Sequence, residues 1–237
     1  MMASAMPPLA VVTGAAAGIG RAAVDLLVRD GWTVVALDSN GDQLREVRAE
    51  HGPKKDVRPV IADLRDPADA IVAIEKVVES GRRIGALLNI AGIGGKTTPD
   101  DFDLEVAEDI LRVNLLAPQA LSFAFWDRFA SDACIVNAGS VLVNGFREGA
   151  ATYSASKAGL AALSYYMQRT AGDSGLRVYC INFGLVETRM TEDLILQDPS
   201  VPRLTSEQAA EEILACVKTR RRGMEGLMYP LSAHRLK

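Results

Sequence analysis

The sequence predicts an α/β fold: a doubly wound parallel sheet of six to seven strands with helices on both faces. Short apolar runs alternate with amphipathic stretches along the chain. The runs are apolar throughout rather than at every second position, as expected of strands covered on both faces. The repeated strand–helix order implies parallel neighbours joined by right-handed crossovers.

Residues 9–13 read as a strand and 18–30 as a helix; 33–37 and 41–50 repeat the pair. Residues 57–62 form the third strand, and Pro67 at the first turn opens a helix over 67–80. A strand at 84–90 leads into a helix over 104–130, bent at Pro118. Residues 133–138 are a strand and 152–171 a helix. A strand at 176–181 and a helix at 206–218, capped by Ser206, follow, with a last short strand at 226–229. No repeat, low-complexity tract or linker interrupts this order. Residues 9–237 therefore read as one domain behind a loose tail at 1–8.

With 237 residues, the chain is long enough for a sizeable core. A 49% apolar and 24% charged composition is that of a soluble globular protein. The net charge of −4 favours neither nucleic acid nor an anionic membrane. Lys218, Arg220, Arg221 and Arg222 read as a solvated helix end. Cys134, Cys180 and Cys216 are scattered and lack metal-ligand spacing. Buried free thiols suit a reducing cytosol, so the expected location is cytoplasmic. His51 and His234 stand alone. No secretory signal and no apolar run of transmembrane length is expected.

The turn Thr13-Gly14-Ala15-Ala16-Ala17-Gly18-Ile19-Gly20 joins the first strand to the first helix. Gly14 permits the tight turn, Gly18 lets a pyrophosphate approach backbone N–H groups, and Gly20 lets helix and strand pack closely. Its G-x-x-x-G-x-G spacing differs from the commoner G-x-G-x-x-G. Asp38 ends the second strand, eighteen residues after Gly20. A carboxylate there accepts hydrogen bonds from an adenosine ribose and repels a 2′-phosphate. Uncharged Ala17, Ser39 and Asn40 nearby add to the expectation of NAD rather than NADP.

Tyr153 and Lys157 stand four residues apart on the predicted helix, so phenol and ammonium share one face. A fixed cation beside a phenol favours the phenolate, giving an acid/base group without histidine. Ser140 lies thirteen residues upstream of Tyr153. The set suggests proton transfer at a carbonyl or carbinol.

From about Leu9 to Thr188 the chain resembles the short-chain dehydrogenase/reductase family, in its single-domain branch. The ordered motifs are Gly14/Gly18/Gly20, Asp38, Asp63-Leu64, Asn89-Ile90-Ala91-Gly92, Asn114, Ser140, Tyr153/Lys157, Asn182-Phe183-Gly184 and Thr188. The resemblance implies a Rossmann-like fold and an NAD-dependent oxidoreductase that interconverts a secondary alcohol and a ketone. Asp63 and Leu64 would contact adenine, and Asn89, Ala91 and Gly92 would line the cofactor cleft. Asn114 would hold a water connecting Lys157 to solvent. Ser140 would polarise the substrate oxygen, Tyr153 would exchange the proton, and Lys157 would also bind the nicotinamide ribose. Thr188 would anchor the carboxamide, with Ala17, Ile19, Gly184 and Val186 as further cofactor contacts. Family members assemble through helices corresponding to 104–130 and 152–173, so a homodimer or homotetramer is expected.

Three departures stand out. Ile90 replaces a second Asn and removes a polar group from a strand end. Phe183 replaces a Pro and is expected to shape a pocket wall. The tail 224–237 lacks the family's Asp-Gly-Gly ending.

Substrate walls are expected from 94–96, 141–146, 149–150, 185–186 and the segment 189–204, read as an apolar lid. Lys96 and Arg147 flank the expected mouth. The expected partner is a small alcohol or ketone. An NADPH-dependent biosynthetic ketoreductase is a second reading, opposed by Asp38. A catalytically silent dinucleotide-binding protein is a third, opposed by the Ser140/Tyr153/Lys157 set.

Overall fold

The computed structural model describes residues 6–53, 56–218 and the backbone of 228–231. Residues 220–222, His234 and the remaining tail lie outside the described residues. Seven parallel strands form one sheet in the order β3-β2-β1-β4-β5-β6-β7. They are β1 (Leu9–Thr13), β2 (Thr33–Asp38), β3 (Val57–Ile61), β4 (Ile84–Asn89), β5 (Phe129–Ser140), β6 (Arg177–Phe183) and β7 (Met228–Leu231). Successive side chains point to opposite faces, so each buried strand feeds two cores. Ala10 and Val12 pack with Ala23, Leu27 and Ile213 on one face. Leu9 and Val11 pack with Ile74, Leu121 and Met167 on the other.

The first face carries α1 (Gly18–Arg29), α2 (Gly41–His51) and α8 (Ser206–Lys218). The second carries α3 (Pro67–Val77), α5 (Ala117–Ala124) and α6 (Ala151–Ala171). Helix α4 (Leu104–Leu111) leads into α5, and α7 (Glu192–Gln197) lies between β6 and α8.

Three expectations are corrected. The helix over 104–130 ends at Ala124, and β5 begins at Phe129 rather than at 133. The irregularity inside that helix is a π-helical turn at Arg112–Leu116, while Pro118 sits in the first turn of α5, where it costs little. Helix α8 is capped by Thr205, not Ser206. The Thr205 hydroxyl accepts the Gln208 N–H at 3.1 Å, and the Gln208 amide oxygen accepts the Thr205 N–H at 2.9 Å. Ser206 instead donates to the Glu187 carbonyl at 2.7 Å.

At the amino ends of the strands, cations brace the fold. Arg177, on β6, donates to the Cys216, Val217 and Asp132 carbonyls at 2.7, 3.1 and 3.0 Å. That places a positive charge on the last turn of α8. Buried Arg82 reaches Thr33 Oγ1 at 2.8 Å, the Pro7 carbonyl at 3.0 Å and Glu79 at 3.1 Å. Arg58 joins Asp56 and Glu79, and its hydrogen bonds hold the Glu79 carboxyl at about 2. Cys134 and Cys180 are buried free thiols and Cys216 is half-buried. Burial pushes Cys180 and Cys216 up to about 11, which keeps them protonated at neutral pH. No helix among the described residues is long and apolar enough to cross a membrane.

Candidate active site

The chain order reverses between β1 and β4, opening a crevice at the carboxyl ends of the strands. Gly14 enters it with φ +68°, and a Cβ there would lie 2.9 Å from Ala91 Cα. A Cβ on Gly20 would approach the Gly14 carbonyl to 2.0 Å, so no side chain fits without moving the loop. Helix α1 starts after Ala17, which offers no side-chain cap. By contrast, Asn40, Asp66, Asp103 and Thr205 cap α2, α3, α4 and α8. Helix α6 is capped from a distance, with Thr97 Oγ1 accepting the Thr152 N–H at 3.0 Å. An uncapped first turn at the crevice is a ready anion site.

Asp38 closes this loop. Its carboxylate accepts the Ala16 N–H at 3.0 Å and the Asn40 N–H at 2.9 Å. Asp38 therefore shapes the loop as well as bordering the crevice.

A cavity of about 280 Å³ brings most of the predicted residues together: Gly14, Ala17, Gly18, Ile19, Gly20, Asp38, Ala91, Gly92, Ser140, Tyr153, Lys157, Gly184, Val186 and Thr188. Asp63 and Leu64 line a second hollow of about 250 Å³, which shares Gly14, Asp38, Ala91 and Gly92 with the first. Ile90 and Phe183 also line the first cavity. Phe183 does so from the residue paired with Ser140 on the adjacent strand.

Ser140 ends β5, and its Oγ accepts the Leu142 N–H at 3.2 Å. That leaves its own O–H free to donate. Lys157 is 4% exposed. Its Nζ donates to the Ala138 carbonyl at 2.8 Å and stands 5.7 Å from the Tyr153 ring centroid. Gly92 packs beside it, where a Cβ would lie 3.3 Å from Asn114 Oδ1 and 3.4 Å from Lys157 Nζ.

Asn114 and Asn89 lie behind the cavity wall rather than on it. Asn114 is fully buried in the π-helical turn. Its amide accepts the Ile93 N–H and donates to the Ile93 carbonyl, both at 2.9 Å, and donates to Ser156 Oγ at 3.1 Å. Ser156 in turn donates to the Tyr153 carbonyl at 2.7 Å, tying the turn to the first turns of α6. Asn89 donates to Asn137 at 2.8 Å, while Asn89 Oδ1 has no partner among the described residues. Thr188 caps a short helical turn, and its N–H donates to Thr191 Oγ1 at 3.2 Å.

The sequence reading missed Thr13, whose Oγ1 accepts the Ile90 and Ala91 N–H groups, both at 3.1 Å. It also missed the Ala138 carbonyl and Ser156. A Thr ending a strand before the glycine turn was the available signal for the first; the others are long-range contacts with no local signature. The 189–204 segment is pinned at its base, where Leu204 exchanges backbone hydrogen bonds with Leu185 and Glu187 at 2.9 and 2.8 Å. Met190 lines the cavity, whereas Leu196 is 71% exposed.

A family model described as short chain dehydrogenase matches residues 8–198, and the chain belongs to that family of oxidoreductases. It is 30% identical over 190 residues to the 3-oxoacyl-[acyl-carrier-protein] reductase of Thermotoga maritima, covering 78% of this chain and 76% of the relative. A putative NAD(P)-dependent gluconate 5-dehydrogenase from Beutenbergia cavernae, with bound NADP, is 26% identical at a TM-score of 0.85 and covers 98% of each chain. A 4-hydroxyisoleucine dehydrogenase complexed with NADH is 23% identical at a TM-score of 0.86, covering 95% of this chain and 97% of that one.

Proposed function

We propose that the protein is an NAD-dependent oxidoreductase interconverting a secondary alcohol and a ketone, with Tyr153 as the acid/base group. The observation that carries this is the meeting of Ser140, Tyr153 and Lys157 with the glycine loop and Asp38 around one cavity. The residues fit a dinucleotide. Uncapped α1 suits the pyrophosphate, glycines admit it, and Asp38 suits a ribose. When bound, the nicotinamide supplies the hydride acceptor or donor.

In oxidation, the Tyr153 phenolate takes the hydroxyl proton. Ser140, oriented by the Leu142 N–H, donates to the substrate oxygen and stabilises charge on it. Lys157 uses one donor on the Ala138 carbonyl and keeps two for the ribose and the proton path. Asn114 and Ser156 hold Tyr153 in place through its carbonyl. The remaining lone pair of Asn114 Oδ1 is where a water joining the proton path would dock.

Among similar proteins one structure holds NADP and another NADH, so the preference for NAD rests on Asp38. Its carboxylate opposes a 2′-phosphate, and Arg21 and Arg45 are paired with Glu50 and Asp42. Homo-oligomer assembly is supported by Leu116, Phe123, Tyr165 and Tyr166, which are exposed on the helices between 104 and 171.

The test is NADH formation across a panel of secondary alcohols, with Tyr153→Phe as control. Activity that survives Tyr153→Phe overturns the assigned acid/base group. Tighter binding of NADPH than of NADH overturns the reading of Asp38.

A further inference from the structure

We infer that the substrate carries an oxyanion beside the reacting carbinol and that Arg147 receives it. This deepens the proposed reaction and rests on Tyr153 as its proton-transfer group. Arg189 lines the cavity itself, and the two cations expected at its mouth, Lys96 and Arg147, stand outside that lining and differ in status. Lys96 Nζ lies 3.0 Å from the Asp101 carboxylate, so its charge is matched within its own loop. Arg147 has no acidic partner among the described residues. Its guanidinium carbon stands 5.8 Å from the Tyr153 ring centroid.

Two acids of the neighbouring loop, joined to this turn through Thr97 and Gly149, are otherwise placed. Asp101 is taken by Lys96, and Asp103 caps α4 by accepting the Glu105 N–H at 2.9 Å. Glu148, next in the chain, is exposed and makes no ion pair with Arg147. The phenol therefore has two cations of different status. Lys157 is buried and bonded to a carbonyl. Arg147 is exposed beside the Tyr153 ring, and no ion pair among the described residues uses its donors.

Its backbone does not wander. The Ala150 N–H donates to the Arg147 carbonyl at 3.2 Å, and the Gly149 carbonyl accepts the Thr97 N–H at 2.9 Å. This turn runs directly into α6, the helix that carries Tyr153. A carbinol oxygen hydrogen-bonded to the phenol lies at the ring edge. An oxyanion on the same or the next carbon is then within reach of a guanidinium fork. A carboxylate, sulfonate or phosphate satisfies that fork, and a neutral group of the same shape does not. The substrate class is a small anionic hydroxy or keto compound, with a hydroxy acid as its simplest member.

The test uses the full chain saturated with NADH or NADPH, whichever it binds. Butyrate, propanesulfonate and butyramide are titrated by calorimetry. Both anions are expected to bind about tenfold more tightly than the neutral amide. Arg147→Gln is expected to erase that gap without changing butyramide binding, and Arg147→Lys to keep part of it. Raising the salt concentration should narrow it. Butyrate outbinding propanesulfonate would specify a carboxylate; equal binding would leave the oxyanion general. The inference is overturned if wild type binds butyrate and butyramide equally, if it binds neither anion, or if the preference survives Arg147→Gln. These are binding measurements, so they are independent of the turnover lost or kept in Tyr153→Phe.

Discussion

The two ends of the sheet use the same side chain in opposite ways. At the amino ends, Arg58, Arg82 and Arg177 are saturated by carbonyls, a hydroxyl and carboxylates. At the carboxyl ends, Arg147 rests against an aromatic ring and makes no ion pair among the described residues. Backbone groups follow the same division. The N–H groups opening α2, α3, α4, α6 and α8 meet side-chain acceptors, while α1 opens on the cavity without one. Satisfied polar groups hold the fold together. The unsatisfied N–H groups opening α1 at the cavity are where a ligand completes the hydrogen bonding.

Substitutions at the two ends should therefore separate activity from stability. The largest expected effect is at the open end: Tyr153→Phe should lower kcat by roughly 10²–10⁴-fold while leaving the melting temperature unchanged, as read by NADH absorbance and calorimetry. A parallel loss of stability would break the contrast. Next comes Arg177→Met, which strands three carbonyls and should cost about 3 kcal/mol in urea unfolding. Turnover per folded molecule should stay the same. Asp38→Ala should weaken NADH and strengthen NADPH, each by about tenfold, as measured by fluorescence titration.

The smallest expected effect is in acid. Arg58 holds the Glu79 carboxyl at about 2, below its ordinary 4.5. The folded state thus favours the ionised form. Its contribution is complete above the ordinary value and is lost as pH falls towards about 2. Because the Glu79 carboxylate is half exposed to solvent, the change is small. Glu79→Gln should make the fall in melting temperature across that window shallower than in wild type.

Much of this was legible in the chain. Strands such as 9–13 and 33–38 are buried on both faces, so unbroken apolar runs mark them within a residue. The glycine turn is legible because a missing Cβ at Gly14 and Gly20 is itself the structural requirement. The start of β5 was not. Phe129–Ala133 mixes Ser131 and Asp132 into the run, and the strand pairs with β4 through an irregular register there. Nor was the π-helical turn, which shifts backbone hydrogen bonds without requiring any residue type. The different status of Lys96 and Arg147 was equally hidden, since it depends on which acid folds back onto which cation.

The π-helical turn at Arg112–Leu116 also constrains how this chain can change length. Such a turn holds one residue more than an α-helix needs. Deleting a residue there would restore α-helical bonding and leave the residues after it close to their present phase, because the wide turn already absorbs the extra residue. Leu121 would stay buried, whereas the widened turn that presents the Asn114 amide to Ile93 and Ser156 would be lost. The extra residue thus serves the cavity rather than the packing of the helix on the sheet. A single-codon deletion in these five positions should lower turnover more than it lowers the melting temperature.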